Sequence, residues 1–203
     1  MMVPLDDLRQ HLDVLRARDG DAVTVRFVEP GDGEELQSYF RSLSARSRYN
    51  RFFGAMSELP GAVLDTFTHV SEAAGFTVAA TRVIDGFETI VGEARYVFHP
   101  ESESVEFGLS IDDRWQGHGI GAALLKNLEC RAAALGARRV FGDTLRSNEG
   151  MIGLARKSGY RFSNNPDDWK LVRFEKEINA RPSDIPCASW RIAAALREAA
   201  LAI

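Results

Sequence analysis

Glycines at 117, 119 and 121 separate two runs of different periodicity, and that junction constrains the chain more than any other feature. Before it, Val105-Glu106-Phe107-Gly108-Leu109-Ser110-Ile111 alternates as a strand and ends in the polar turn Asp112-Asp113. After it, Ile120, Leu124, Leu125, Leu128, Ala132 and Leu135 share one face of a helix over 119–135 that Gly136 stops. A strand must therefore hand over to a buried-faced helix through a backbone largely free of Cβ atoms. Such a turn lets the main chain approach a ligand closely, and the unpaired N–H groups and dipole of the first helical turn favour an anion there. The pattern points to a phosphate or pyrophosphate.

Two familiar phosphate loops do not fit. No Gly-Lys-Ser/Thr follows the glycines, so the segment is not a P-loop. A dinucleotide fold places its glycine turn after the first strand of a parallel sheet. Here strand-like runs at 23–28, 76–83 and 89–98 come first, and the short turns at Asp85-Gly86 and Pro100 to Glu103 imply antiparallel neighbours. Helical stretches are expected over 34–43, 44–53 and 59–68. Downstream, 139–144 reads as a strand, 148–157 as a helix closed by Gly159, and 160–163 and 169–174 as the last strands. A meander followed by strand, helix, strand, helix, strand predicts an α/β (α+β) domain over 22–178 with a mixed, mostly antiparallel central sheet flanked by helices.

The ends read differently. Leu5, Leu8, Leu12 and Leu15 place one apolar stripe on an N-terminal helix within 1–21. Residues 179–203 read as a linker, Arg181-Pro182-Ser183-Asp184-Ile185-Pro186, and an alanine-rich C-terminal helix carrying Trp190 and Leu201. Both helices are expected to cover the domain or to form a homodimer contact.

Composition narrows the partners. The 203 residues are 45% hydrophobic and 27% charged, the make-up of one globular domain with appendages. No apolar run approaches the roughly 20 residues of a membrane span, and acids stand where a signal peptide would be apolar, so a cytoplasmic chain with no membrane partner is expected. A net charge of −4 leaves no global basic field for nucleic acid. Cys130 and Cys187 are too few for a disulfide framework, and His11, His69, His99 and His118 lack ligand spacing, so no metal is expected.

Gln116-Gly117-His118-Gly119-Ile120-Gly121 resembles the Gln/Arg-x-x-Gly-x-Gly/Ala signature of the GCN5-related N-acetyltransferases. Asn148, Met151, Leu154, Gly159 and Tyr160 resemble that family's later Asn-led helix-to-strand segment, and the order of elements from Val23 to Phe174 is similar to its whole domain. Leu43-Ser44-Ala45-Arg46-Ser47-Arg48-Tyr49-Asn50-Arg51-Phe52-Phe53, and Glu106 followed by Asp112-Asp113-Arg114-Trp115-Gln116-Gly117, are similar to segments of bacterial protein-lysine acetyltransferases. Those proteins commonly carry a fused cyclic-nucleotide-binding or acyl-CoA-synthetase-like part, for which 203 residues leave no room.

The resemblance implies transfer of an acetyl group from acetyl-CoA, as co-substrate, to a primary amine, either a small molecule or a protein lysine. It places the pyrophosphate on Gln116, Gly117, His118, Gly119, Ile120, Gly121 and Ala122, the pantetheine along Leu109, Ser110 and Ile111, and Asn148 beside the cofactor. An ammonium with a pKa near 10.4 costs about 4 kcal/mol to deprotonate at pH 7.4, so a base is useful. Glu106 is the candidate, because the resembling enzymes place a general-base glutamate there; burial against apolar walls would suit it. Many family members carry an acidic tyrosine seven residues after the helix-opening Asn, a position held here by Ala155, so the general acid is unassigned. Tyr160 reads as a core aromatic. The basic run Arg41, Arg46, Arg48 and Arg51 reads as a solvated helix face, with Tyr49, Phe52 and Phe53 as a candidate acceptor wall. The alternative reading is a non-catalytic acyl-CoA-binding or sensor module.

Overall fold

Strand β2 (Ala22–Phe27) shows how the sheet is made: Val23, Val25 and Phe27 are buried towards one face, while Thr24 and Arg26 alternate to the other. The computed structural model describes residues 12–18, 20–69 and 75–179. Within them β1 (Asp13–Arg16), β2, β3 (Phe76–Ile84), β4 (Phe87–His99), β5 (Ser104–Ile111), β6 (Arg139–Leu145), β7 (Arg161–Asn164) and β8 (Leu171–Glu177) form one eight-stranded sheet in the order β1-β2-β3-β4-β5-β6-β8-β7. Every neighbouring pair is antiparallel except β5 and β6. The crossover between those two is α4 (Ile120–Ala134), as a parallel connection requires.

Two cores sandwich the sheet. On one face α4 and α5 (Glu149–Lys157) pack Leu124, Leu125, Leu128 and Ala155 against Val25, Val78, Ala94 and Phe107. On the other, α1 (Gly33–Ser42), α2 (Ala45–Phe52) and α3 (Gly61–Thr68) gather Leu36, Phe40, Phe52 and Phe67 over Ala79 and Ile90. Double coverage explains why Val78-Ala79-Ala80 is apolar without alternation: each is wholly buried, alternately to the two cores. Each fully buried leucine here contributes about 1.5–3 kcal/mol.

The mixed sheet and all the helices expected between 34 and 157 are present, within a residue or two of their expected ends. The N-terminal helix is a correction. Asp13–Arg16, placed in it by the leucine stripe, is the edge strand β1, with Val14 63% exposed while Leu15 packs on the core. Leu12 and Leu15 therefore face opposite ways. The cause is tertiary: Arg131 on α4 is wholly buried, and the Asp13 carboxylate at 2.7 Å is its counter-charge, with Asn127 donating to the same carboxylate. Residues 1–11 and the C-terminal helix expected within 179–203 lie outside the described residues, apart from Asn179.

Candidate active site

β5 and β6 run side by side only where Ser104, Val105 and Glu106 pair with Arg139, Val140 and Phe141. Beyond that point β5 continues to Ile111 against β4, and β6 to Leu145 against β8, so the two strands part. The fork holds a cleft of about 320 Å³ lined by Glu106, Gly108, Leu109, Asp143 and Asn148, with Arg51 of α2 on one wall. Beyond Phe107, whose carbonyl still lies against Gly142, the main-chain groups of β5 pair with no strand on the β6 side.

Side chains along β5 divide by parity. Phe107 is buried against Tyr160 and Phe174 under α4. Glu106, Gly108 and Ser110 face the other way. Over Gly108 lies the Arg51 guanidinium, so close that a Cβ would sit 2.7 Å from Nη1 and the arginine would have to shift. Arg51 donates to the buried Glu93 carboxylate at 2.6 and 3.2 Å, Ser110 Oγ donates to Glu93 at 2.8 Å, and Tyr39 and Ser110 hydroxyls lie 2.9 Å apart. Burial, reinforced by the Glu93 charge, raises the Tyr39 phenol well above the ordinary tyrosine range, so it remains a neutral hydroxyl in this network.

At the far end of the fork the turn after β5 is tied down residue by residue. Asp112, 1% exposed, accepts from the Arg114 main chain and guanidinium and from Ser42. Asp113 accepts from Ser44 N, Ser44 Oγ and Ser47 Oγ, so it holds the start of α2. Gln116 Nε2 donates to the Ile111 carbonyl at 3.0 Å, which closes the turn back on the strand. Gly117 and Gly119 adopt φ of 81° and 86°, a region that favours glycine. Gly119 is the N-cap of α4 and has no side chain to cap it, so the first-turn N–H groups face outward without a side-chain acceptor. Gly121 is wedged between Leu154 of α5 and Ile111.

A forked parallel pair with an uncapped glycine-led helix at its mouth can hold a chain-like ligand along β5 and an anionic group at α4. A sequence model of the Acetyltransferase (GNAT) family matches residues 38–160. The chain belongs to that family. It is 29% identical over 150 residues to an acetyltransferase of Pseudomonas aeruginosa, covering 74% of this chain and 81% of that one. The GNAT domain of S. lividans PAT superposes with a TM-score of 0.75 at 26% identity, covering 87% of this chain and 99% of that domain. A cAMP-binding acyltransferase from Mycobacterium smegmatis shares the fold, with a TM-score of 0.59 at 20% identity over 93% of this chain, which spans 58% of that longer protein.

Within the GNAT framework the residues singled out from the sequence fall into three groups. Glu106, Leu109 and Asn148 line the cleft, although Asn148 also caps α5, accepting from Met151 N and donating to Thr144 Oγ1. Gly117, His118, Gly119, Gly121 and Ala122 form the turn and first helical residues, where His118 uses its carbonyl to accept from Arg18 N and sets its ring against Trp115. Ser110, Ile111, Gln116 and Ile120 are not among the residues that line the cleft, and their side chains are spent on Tyr39 and Glu93, on the core, on the Ile111 carbonyl and on the core respectively. Glu106 does not share Phe107's apolar surroundings; its side chain is 52% exposed.

The GNAT cleft also has members that residue patterns did not single out. Arg95, Asp143 and, through Asp143, Arg173 came without any motif. Arg51 stood in a run read as a solvated face, yet it alone of that run turns onto Glu93, and the unbranched Gly108 opposite was the available signal. Ala155 is wholly buried and Tyr160 packs in the core with its phenol raised by burial and by Glu129, so neither position supplies an acid, and no tyrosine lines the cleft among the described residues.

Proposed function

We propose that the chain is an acetyl-CoA-dependent N-acetyltransferase that passes the acetyl group directly to a primary amine, a small molecule or a protein lysine, with Glu106 as general base. The observation that carries the reading is the fork after Glu106 and Phe141, which leaves one edge of β5 open beside the uncapped start of α4. The residues fit the co-substrate. Main-chain groups of Leu109, Ser110 and Ile111 would pair with an extended pantetheine as a strand would, and the N–H groups of residues 117–122 would hold a pyrophosphate. Asn148 borders the opposite lip.

In this reading the amine enters beside Glu106, whose carboxylate suits a cationic acceptor, while Asp143 on the same cleft is paired with Arg173. Glu106 takes the ammonium proton, and the freed lone pair attacks the thioester carbonyl. A main-chain N–H of residues 109–111 stabilises the oxyanion. On collapse the attacking nitrogen sheds its second proton, which reaches the weakly basic leaving thiolate through water, so no phenol is needed in the cleft.

Glu106→Gln tests the assignment, because it keeps shape and hydrogen-bonding reach but cannot take the proton. Acetyl-CoA affinity by calorimetry should stay within a few-fold, while turnover near pH 7 should fall by about 10²-fold. Raising the pH should restore part of the rate, since neutral amine then becomes abundant. Full turnover at neutral pH would remove Glu106 from the mechanism.

A further inference from the structure

Behind Glu106, on the side away from the cleft, stands a histidine that nothing above uses. The β4–β5 register pairs Val97 with Glu106 and His99 with Ser104, so His99 and Glu106 are diagonal neighbours on one face. His99 Nε2 lies 3.6 Å from Glu106 Oε2. That nitrogen is shut off from solvent and has no hydrogen-bond partner among the described residues, although 44% of the His99 side chain is exposed. The imidazole stacks on Phe141, ring centroids 6.3 Å apart, and Phe141 is the β6 residue paired with Glu106 where the strands part. One nitrogen thus faces the carboxylate at the root of the fork while the rest of the ring meets water.

We propose that His99 is a positioning residue that acts through Glu106, holding its carboxylate and carrying the proton it collects out to solvent. The proposal rests on the reading of Glu106 as the base. Chemistry selects His99 from the charged groups around that carboxylate. Arg95 and Arg173 stay protonated and cannot accept. Asp143 is engaged by two hydrogen bonds from Arg173. An imidazole can accept at one nitrogen and release from the other. Contacts of this kind in the unliganded state are often long and tighten when substrate binds, and 3.6 Å needs only a small closure.

The steps balance. The first ammonium N–H bond breaks and its proton forms the Glu106 carboxyl O–H, while the second, shed when the intermediate collapses, goes through water to the CoA thiolate. The Glu106 proton passes to His99 Nε2 while Nδ1 releases its own to water, which returns Glu106 to carboxylate and leaves His99 neutral. The imidazole then exchanges tautomers through solvent.

The test uses the full chain, acetyl-CoA, and spermidine, poly-L-lysine and a pool of lysine-bearing peptides as amine probes, with CoA release as the signal. His99→Phe keeps the ring against Phe141 and removes both nitrogens. It should lower kcat near neutral pH by about tenfold and leave the KM for acetyl-CoA unchanged, whereas His99→Ala, which vacates the ring's place, should show the same loss and recover in part when imidazole is added. On the Glu106→Gln background His99→Phe should change kcat by less than about twofold, because a residue acting through Glu106 has nothing left to act on. His99→Gln, which keeps a polar side chain but cannot relay, guards against a folding defect in the first variant and should show the same loss. Parent-like kcat in all three His99 variants, or an undiminished loss on the Glu106→Gln background, would overturn the relay while the base assignment stands. Full activity of Glu106→Gln alone, or no CoA release by the parent with any probe, would overturn both.

Discussion

Arg51–Glu93 and Arg173–Asp143 border the same cleft from opposite walls, yet the side chains of the first pair are 14% and 2% exposed and those of the second 31% and 14%. On the α2 wall the buried carboxylate is also bonded to Ser110, and the turn that follows β5 is anchored to α1 and α2 through Asp112 and Asp113. On the β6–β8 wall the arginine pairs with its carboxylate at the surface and lies over Phe141. The α2 wall is thus the more deeply buried and more heavily cross-linked of the two, whereas the β6–β8 wall keeps its ion pair closer to water.

The largest expected effect is on the buried pair. Arg51→Ala leaves the Glu93 charge in the core and should cost about 3–5 kcal/mol by urea unfolding. A loss no larger than that of Arg173→Ala would erase the contrast between the walls.

Next comes Asp112→Ala, which removes the acceptor of the Arg114 main chain and guanidinium and leaves the Ser42 hydroxyl only the Tyr39 carbonyl, and which should cost about 1–3 kcal/mol. Its pH dependence has a definite sign. Burial pushes the Asp112 carboxyl up, but hydrogen bonds from Arg114 and Ser42 outweigh it and hold the group below its ordinary 3.8; for Asp113, bonds from Ser44 and Ser47 outweigh burial in the same way. Folded values below unfolded ones mean that this stability is full above the unfolded value of about 3.9 and is lost as pH falls through the folded value. Melting temperatures should therefore drop less steeply with acid in Asp112→Ala than in the parent. A parallel acid limb would show that Asp112 is not held as described.

Ala122→Glu sharpens the picture of the turn. The exposed side chain adds a negative charge to the first turn of α4, where a carboxylate favours the helix by about 0.3–1 kcal/mol but repels a pyrophosphate. Acetyl-CoA affinity should fall about tenfold, a change of about 1.4 kcal/mol, with no loss of melting temperature. Unchanged affinity would remove the α4 terminus from the site. This variant is a cleaner probe than Gly119→Asp, since a Cβ at Gly119 would lie 3.2 Å from Arg18 and strain a positive φ. The smallest effect is expected from Arg173→Ala, less than about 1 kcal/mol in stability, with a few-fold change in acceptor KM and none in acetyl-CoA affinity.

Much of this site could be read along the chain. The strand 105–111, the glycine turn and the helix after it are local: alternation, φ-permissive residues and a 3.6-residue period act between neighbours, and the structure places each within a residue or two. Arg51 could not be read that way. Among Arg41, Arg46, Arg48 and Arg51 only Arg51 meets a buried carboxylate, and Glu93 is 42 residues away. His99 carried no ligand spacing and gained its setting only from the β4–β5 register.

By itself the sequence determined the order and type of the elements from 22 to 178, the place of the glycine turn and the family likeness, because those depend on periodicity and on residues adjacent in the chain. Tertiary structure decided the rest. Leu12 and Leu15 shared a helical stripe on paper, but the open edge of β2 and the buried Arg131 drew Asp13–Arg16 into a strand. The fork after Glu106 follows from where β5 and β6 stop sharing partners, and the pairing of Arg51 with Glu93 from α2 crossing Gly108. A buried charge needs a partner wherever the fold brings one, and that distance is not written in the spacing of residues.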